Sequence, residues 1–192
     1  LEDDLKMSDI RSIPDAIMIE EENGGEGLLT CLCSKALQGA LDALEDMRER
    51  EGAELYNDIT SCLADLEAQA ALIGARKESV PKEYAEKLRL RIRELTEGSG
   101  FDEARFNAEV AYMADRMDIS EEVVRLTTHI NQFRTAAGAR DAVGRKLDFM
   151  VQEMNRELNT IGSKSADMAI TNAVIEGKSI VEKIREQVQN IE

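Results

Sequence analysis

Several residue types that often carry function are scarce in this sequence of 192 residues, which has no tryptophan, two prolines, three cysteines and one histidine. A metal-free ribonuclease mechanism uses one histidine as the base and another as the acid, so the single His129 excludes that mechanism within one protomer. The cysteines (Cys31, Cys33 and Cys62) are odd in number and form no CxxC motif, which fits neither a disulfide framework nor a zinc knuckle. We expect reduced thiols that serve mostly in packing.

Long apolar runs are also missing. No uncharged run exceeds about eight residues, whereas a transmembrane helix needs roughly 20 apolar residues and a signal peptide needs an apolar segment of its own. The sequence therefore predicts a soluble, cytoplasmic protein without a membrane-spanning helix.

Basic residues are few relative to acidic ones, because 24 Lys and Arg against 39 Asp and Glu leave a formal net charge of −15. Nucleic-acid-binding proteins usually carry a basic patch, so this total argues against such a partner. The excess is uneven: residues 1–75 hold 18 acids and 5 bases, residues 76–139 hold 12 and 11, and residues 140–192 hold 9 and 8. The acidity therefore belongs to the first segment, and the remainder is nearly balanced.

Apolar residues recur every three or four positions through most of the chain, without strand-like alternation. This pattern predicts an all-α fold in which long antiparallel helices form a helical bundle, after a short irregular N-terminal segment. The expected helices cover about 28–74, 81–95, 103–116, 119–135, 141–160 and 166–189, and Gly162 is expected to end the fifth in a left-handed conformation. The expected regions are an irregular acidic connection (1–27), a hairpin of a long acidic helix and a basic helix (28–97), and a C-terminal helical domain (98–192).

Two polar rows run beside the predicted core stripes. On the helix over 119–135, spacings of 4, 3, 4 and 3 place five polar side chains on one edge: Asp118, Glu122, Arg125, His129 and Gln132. On the helix over 141–160 the second row consists of Asp148, Gln152, Asn155 and Asn159. The first row is either a functional site or a structural ladder of ion pairs, and the second faces either a defined polar partner or an inter-helix hydrogen-bond layer.

Two further features could bind charged ligands. Glu153 and Glu157 lie one helical turn apart and could share a hard divalent cation, although Lys146 and Arg156 could simply neutralise them. The sequence from Gly162 to Ser165 is predicted to form a turn before the last helix, where backbone N–H groups favour an anion such as a phosphate. Ordinary helix capping is the simpler interpretation of that turn.

Longer stretches resemble a known family. Residues 143–165 read VGRKLDFMVQEMNRELNTIGSKS and resemble the C-terminal signature of the bacterial YicC/YloC family, as does the ending IREQVQNIE. Three further pieces fall in the family's order: IRSIPDAI at 10–17, REREG at 48–52 and DRMDISEEVVRLTTHI at 115–130. Together they span nearly the whole sequence.

The resemblance implies an endoribonuclease that needs a divalent metal and assembles into a ring-like homo-oligomer, expected to be a hexamer. It also implies an N-terminal, strand-containing domain that this sequence lacks. We therefore expect the chain to be the C-terminal, helical portion of a longer protein, with residues 1–27 as the connection to the missing domain.

The motifs and the resemblance together give a hypothesis for the site. Mn²⁺ or Mg²⁺ would be held, and a base supplied, by Glu122, His129, Glu153 and Glu157. Phosphates of RNA would be held by five cationic side chains: Arg125, Arg145, Lys146, Arg156 and Lys164. Three amide side chains would orient these phosphates: Gln152, Asn155 and Asn159. Metal-activated water would then attack a backbone phosphate. Two alternatives stay open: a non-catalytic RNA-binding adaptor that presents transcripts to other RNA-decay ribonucleases, and an oligomerisation scaffold.

Overall fold

The computed structural model describes residues 6–15, 18, 26–96, 102–139, 143–189 and 191. Those residues form helices and no strand, which confirms the all-α prediction. In chain order the helices are α1 (Met7–Arg11), α2 (Glu26–Arg76), α3 (Val80–Thr96), α4 (Glu103–Arg116), α5 (Ser120–Ala137), α6 (Gly144–Lys164) and α7 (Met168–Val188). No helix among the described residues combines the length and the apolar character required to cross a lipid bilayer.

The chain divides into two compact units, Leu1–Glu49 and Arg50–Glu192, and α2 contributes to both. In the first unit, α2 exposes apolar side chains at helical spacing, including Leu37, Leu41 and Leu44. The expected irregular connection over 1–27 contains the short helix α1, and its glycines Gly24 and Gly25 lie outside the described residues.

The three cysteines are free thiols, as the sequence predicts. The prediction that they serve in packing is wrong for Cys31 and Cys33, because both are exposed on the first part of α2. Cys62 is half-buried against the core of the second unit, and this burial raises the pKa of its thiol. Only Cys62 therefore contributes to packing.

The core of the second unit is formed by the later part of α2 together with α5, α6 and α7. From α2 it takes Ile59, Leu63, Leu66, Ala70 and Ile73, all buried at the three- and four-residue spacing of one helix face. The predicted core stripe of α5 is also present, with Leu126, Ile130 and Phe133 fully buried. Full burial of one such side chain contributes about 1.5–3 kcal/mol, so this core holds the helices that carry the polar rows.

Helices α6 and α7 approach closely at two glycines. A Cβ atom at Gly162 would lie 3.2 Å from Cγ1 of Val174, and one at Gly177 would lie 3.2 Å from Cδ2 of Leu158. The prediction that Gly162 ends its helix is wrong, because α6 continues to Lys164 and is capped by Ser165. Gly162 is accommodated inside the helix since α7 occupies the space that a side chain would need.

The start of α7 is occupied by the protein's own groups. Asp167 is the N-cap, and its Oδ1 accepts hydrogen bonds from the backbone N–H groups of Ala169 and Ile170 at 3.0 and 3.1 Å. Its other oxygen, Oδ2, lies 2.8 Å from Nη2 of Arg76. Nη1 of the same arginine lies 2.6 Å from Oε1 of Glu83 in α3. The guanidinium of Arg76 holds the pKa of Asp167 below its usual value. A carboxylate thus caps these amides, which supports the helix-capping interpretation of this segment rather than a phosphate site.

The α3–α4 hairpin carries many of the basic residues. As predicted, Asp102 caps α4 by accepting a hydrogen bond from the backbone N–H of Arg105 at 3.1 Å. The guanidinium of Arg89 in α3 lies 5.0 Å from the ring centre of Phe106 in α4, a cation–π contact that joins the two helices. No residue within α3 is fully buried.

Candidate metal centre

Helices α5 and α6 run antiparallel, because the partner of each successive α5 residue lies earlier in α6. Polar side chains follow the edge where the two helices meet, and we call this row the α5–α6 seam. It consists of Asp118, Glu122, Arg125 and His129 from α5 or the turn before it, and Glu153, Glu157 and Lys164 from α6. The spacing of three, four or seven residues within each helix places these side chains on one edge.

Three of these side chains converge. His129, Glu153 and Glu157 each offer one ligand atom, and the three atoms all lie within 4.8 Å of one another. Two ligand atoms that each lie about 2.2 Å from one cation are at most about 4.4 Å apart. Small side-chain rotations would therefore bring all three onto one ion. We call these three residues the metal cluster.

The surroundings of the metal cluster also fit a cation. Glu157 is buried, with 6% of its side chain exposed, and Glu153 is half-buried. The Nδ1 atom of His129 is buried and has no hydrogen-bond partner among the described residues. A buried ring nitrogen without a partner costs free energy. A cation coordinated by this nitrogen would supply the missing partner.

Each carboxylate of the metal cluster has one arginine at long range. Nη1 of Arg125 lies 3.9 Å from Oε1 of Glu157, and Nη1 of Arg156 lies 3.8 Å from Oε2 of Glu153. Charge-assisted hydrogen bonds of this kind usually measure 2.7–2.9 Å, so both carboxylates are only loosely neutralised. Arg125 makes its close contact with Glu121, on the exposed side of α5.

The other end of the α5–α6 seam is closed by a short ion pair. Nζ of Lys164 donates to Oε1 of Glu122 at 2.8 Å and to the backbone oxygen of Asp118 at 3.0 Å. The bond to Glu122 raises the pKa of the Lys164 ammonium, and hydrogen bonds from Ser120 lower the pKa of Asp118. We call Glu122, Lys164 and Asp118 the closed end of the seam.

The structure does not bring Glu122, a predicted ligand, into the metal cluster. It lies seven residues before His129 on α5, which corresponds to about 10 Å along the helix axis. Its Oε1 is engaged by Lys164, while its Oε2 is buried and has no partner in the described parts of the chain. The ion pair between Lys164 and Glu122 was not predicted from the sequence. One signal was available, because Lys164 lies seven residues after Glu157 and hence on the same edge of α6.

The predicted RNA-contacting side chains of α6 lie on different flanks. Gln152, Asn155 and Asn159 are exposed and lie roughly 140–160° around the helix axis from Glu157, so they are not part of the metal cluster. Gln152 instead donates to Asp148 at 2.8 Å. The remaining predicted cations of α6, Arg145 and Lys146, are exposed, and helical spacing places Lys146 on the edge that carries Glu153 and Glu157.

Comparison with known proteins identifies the family of this chain. Residues 73–192 match the family model described as endoribonuclease YicC-like, C-terminal. The chain is 46% identical over 191 residues to a protein of Clostridioides difficile (strain 630) named probable endoribonuclease YicC, covering 99% of this chain and 65% of that protein. The chain belongs to the YicC-like endoribonuclease family.

A second relative extends the match. A protein of Haemophilus influenzae (strain ATCC 51907 / DSM 11121 / KW20 / Rd), also named probable endoribonuclease YicC, is 32% identical over 194 residues. That match covers 100% of this chain and 65% of the relative, so the chain spans less than two thirds of the length of either protein. Both the metal cluster and the closed end of the seam fall within the segment matched by the YicC-like family model.

Proposed function

We propose that the protein is a metal-dependent endoribonuclease that hydrolyses phosphodiester bonds of RNA with Mn²⁺ or Mg²⁺ held by His129, Glu153 and Glu157. The observation that carries the proposal is the convergence of one imidazole and two carboxylates within 4.8 Å. The class of reaction comes from the family, whose relatives are named probable endoribonucleases. The three ligands come from two helices that the core holds together, which favours a preformed site.

The donor set suits a divalent cation of this kind. Carboxylate oxygens are the ligands that Mg²⁺ and Mn²⁺ prefer, and Mn²⁺ also accepts imidazole. Three protein ligands leave other coordination positions free for water and substrate. A divalent cation held there supplies Lewis acidity, which activates water and stabilises negative charge on a phosphate.

Cationic side chains around the metal cluster would position the RNA backbone. Arg125 and Arg156 already lie within 4 Å of its carboxylates, so a phosphate bound at the cluster would be within their reach. We assign Arg145 and Lys146, together with the amides of α6, to neighbouring nucleotides rather than to the reacting phosphate. Glu122 and Lys164 leave the site in this proposal, because they neutralise each other.

We further propose that the protein acts in the cytoplasm as a homo-oligomer, with a hexamer as the expected state. The exposed leucines of the first part of α2 support this proposal, since a row of apolar side chains at helical spacing suits contact with another helix. Light scattering coupled to size exclusion measures the assembled mass. A monomer at micromolar concentration would reject the oligomer.

The test of the catalytic proposal uses a labelled RNA with Mn²⁺ or Mg²⁺, followed by EDTA. We expect cleavage with metal, none with EDTA, and a large loss in Glu153→Ala and Glu157→Ala. Glu182→Ala is the matched control, because Glu182 lies on α7 and pairs with an arginine three residues later, as Glu153 does. Cleavage that persists in both cluster variants would reject the metal site. Binding without cleavage would indicate the adaptor, and neither activity would indicate the scaffold.

A further inference from the structure

The two arginines beside the metal cluster share an arrangement that the other ion pairs of the seam lack. Each faces one carboxylate of the cluster at 3.8–3.9 Å, beyond direct hydrogen-bond distance. The side chains of Arg125 and Arg156 are 53% and 74% exposed, whereas those of Glu157 and Glu153 are 6% and 24% exposed. The carboxylates are therefore held by the fold, while the guanidinium of Arg156 is exposed to solvent and that of Arg125 is contacted on its exposed side by Glu121.

Charge balance gives this arrangement a consequence. Without a cation, the two carboxylates of the metal cluster and the two guanidinium groups sum to zero, and Glu121, which contacts Arg125, adds one negative charge beside them. A divalent cation on Glu153 and Glu157 would neutralise the same two charges, and each arginine would then face a positive centre. A guanidinium that has lost its carboxylate partner is well suited to a phosphate, because its planar fork binds two phosphate oxygens at once.

We infer that Arg125 and Arg156 exchange partners when the metal cluster is filled. Without a cation they neutralise Glu157 and Glu153, and with a cation on these carboxylates they turn to a phosphate of the RNA backbone. The inference rests on the proposed metal site, and it makes the two arginines a link between cation binding and RNA binding. Glu121 holds Arg125 at the cluster during the exchange, since it contacts the same guanidinium from the exposed side of α5.

The closed end of the seam is not expected to exchange. Lys164 lies 2.8 Å from Glu122, and it also donates to a backbone oxygen that no cation at the metal cluster would remove. The prediction therefore concerns the two long arginine pairs and not every ion pair of α5 and α6.

The experiment measures Mn²⁺ affinity calorimetrically in the full chain without RNA, for the wild type, Arg125→Gln and Arg156→Gln. Arg134→Gln is the control on α5, since it breaks the pair with Glu67 at 2.9 Å, and Arg185→Gln is the control for an i, i+3 pair. We expect Arg125→Gln and Arg156→Gln to bind Mn²⁺ about 3- to 10-fold more tightly, because a competing positive charge is gone. The two controls should stay within about twofold of the wild type, since their guanidinium groups pair with Glu67 and Glu182 and not with a carboxylate of the cluster.

A second measurement uses a 2′-O-methyl RNA oligonucleotide, which keeps the phosphate backbone and is checked by gel electrophoresis to stay intact during the measurement, with EDTA included in one arm. With Mn²⁺ present, we expect Arg125→Gln and Arg156→Gln to bind it about 5- to 10-fold more weakly than the wild type. With EDTA, the difference should shrink, because the arginines of the wild type are then engaged by the carboxylates. A structural role alone would not move the two affinities in opposite directions.

Two results would overturn the inference. Mn²⁺ affinity in Arg156→Gln equal to or weaker than that of its control would reject the exchange. We expect this variant to keep the fold, because its side chain is 74% exposed. A wild-type chain whose Mn²⁺ binding is absent, or does not depend on Glu153 and Glu157, would reject the proposed function itself and the exchange with it. Melting curves of every variant show whether an altered affinity reflects loss of the fold.

Discussion

The two ends of the α5–α6 seam use the same kinds of side chain and differ in how closely the opposite charges approach. At the closed end Lys164 lies 2.8 Å from Glu122, whereas at the metal cluster the arginines lie 3.8 and 3.9 Å from Glu153 and Glu157. A carboxylate taken out of water needs a partner, and only the closed end supplies one at hydrogen-bond distance. A buried carboxylate whose counter-ion lies beyond hydrogen-bond distance is therefore a better candidate for a metal ligand than one whose counter-ion is close.

The strongest test of this comparison removes one carboxylate from each end. We expect Glu157→Gln to lower RNA cleavage by at least about 100-fold and to abolish Mn²⁺ binding, because a cluster ligand is lost. Glu122→Gln should keep Mn²⁺ affinity within about twofold, since its oxygen already serves Lys164. Cleavage assays and calorimetry check both variants. Equal loss of Mn²⁺ binding in Glu122→Gln would return Glu122 to the ligand set.

The next largest effect concerns stability at the closed end. Lys164→Met leaves the carboxylate of Glu122 buried without its cation, and we expect a loss of about 1–2 kcal/mol in the free energy of unfolding. The value is set below that of a fully buried pair, because 37% of the Lys164 side chain is exposed. Urea denaturation measures it. Adding Glu122→Gln to Lys164→Met should restore part of the loss, and strictly additive effects would contradict a direct coupling.

The pH dependence of the same pair gives a smaller effect. Because Glu122 raises the pKa of Lys164, the stabilising contribution is fully present below the unfolded value of about 10.5 and is lost as pH rises through the higher folded value. The difference in unfolding free energy between the wild type and Lys164→Met should therefore be level near neutral pH and shrink above about pH 10.5. Denaturation series at several pH values follow it. A difference that grows with alkaline pH would have the wrong sign.

The smallest expected effect belongs to the exposed amides on the other flank of α6. Replacing Asn155 and Asn159 together by Ala should weaken RNA binding by about two- to fivefold and leave Mn²⁺ affinity unchanged, because these side chains point away from the metal cluster. Filter binding with a labelled RNA and calorimetry with Mn²⁺ separate the two effects. A change in Mn²⁺ affinity would show that the amides reach the cluster after all.

The helices could be predicted from sequence because the residues that determine them are close together in the chain. Apolar residues three and four apart located α2 to within about two residues at each end, and Asp102 correctly marked the start of α4. The same spacing could not distinguish the two parts of α2. Leu41 is exposed and Leu66 is buried, although both belong to an unbroken apolar pattern. Burial depends on which other helices are present to pack, and spacing within one helix carries no record of that.

Three of the four predicted ligands converge in the structure, and the fourth, Glu122, does not. His129, Glu153 and Glu157 stood out as a lone histidine and a carboxylate pair, and the structure brings them together. Glu122 and His129 lie on the same edge of α5, so both were predicted to belong to one metal site. The register between α5 and α6 separates them, since it sets Glu122 opposite Lys164. Gly162 was misjudged for a similar reason, because its neighbour Val174 comes from another helix.

The close approach of α6 and α7 bears on where the helix that carries Glu153 and Glu157 lies. A methyl group at Gly162 would lie 3.2 Å from Cγ1 of Val174, so Gly162→Ala would force a neighbour to move by a few tenths of an ångström. Glycine at this position lets α6 pack on α7 at a distance that no other residue allows without such a shift. One residue without a side chain, five positions after Glu157, therefore helps to fix the helix on which two of the three candidate ligands stand.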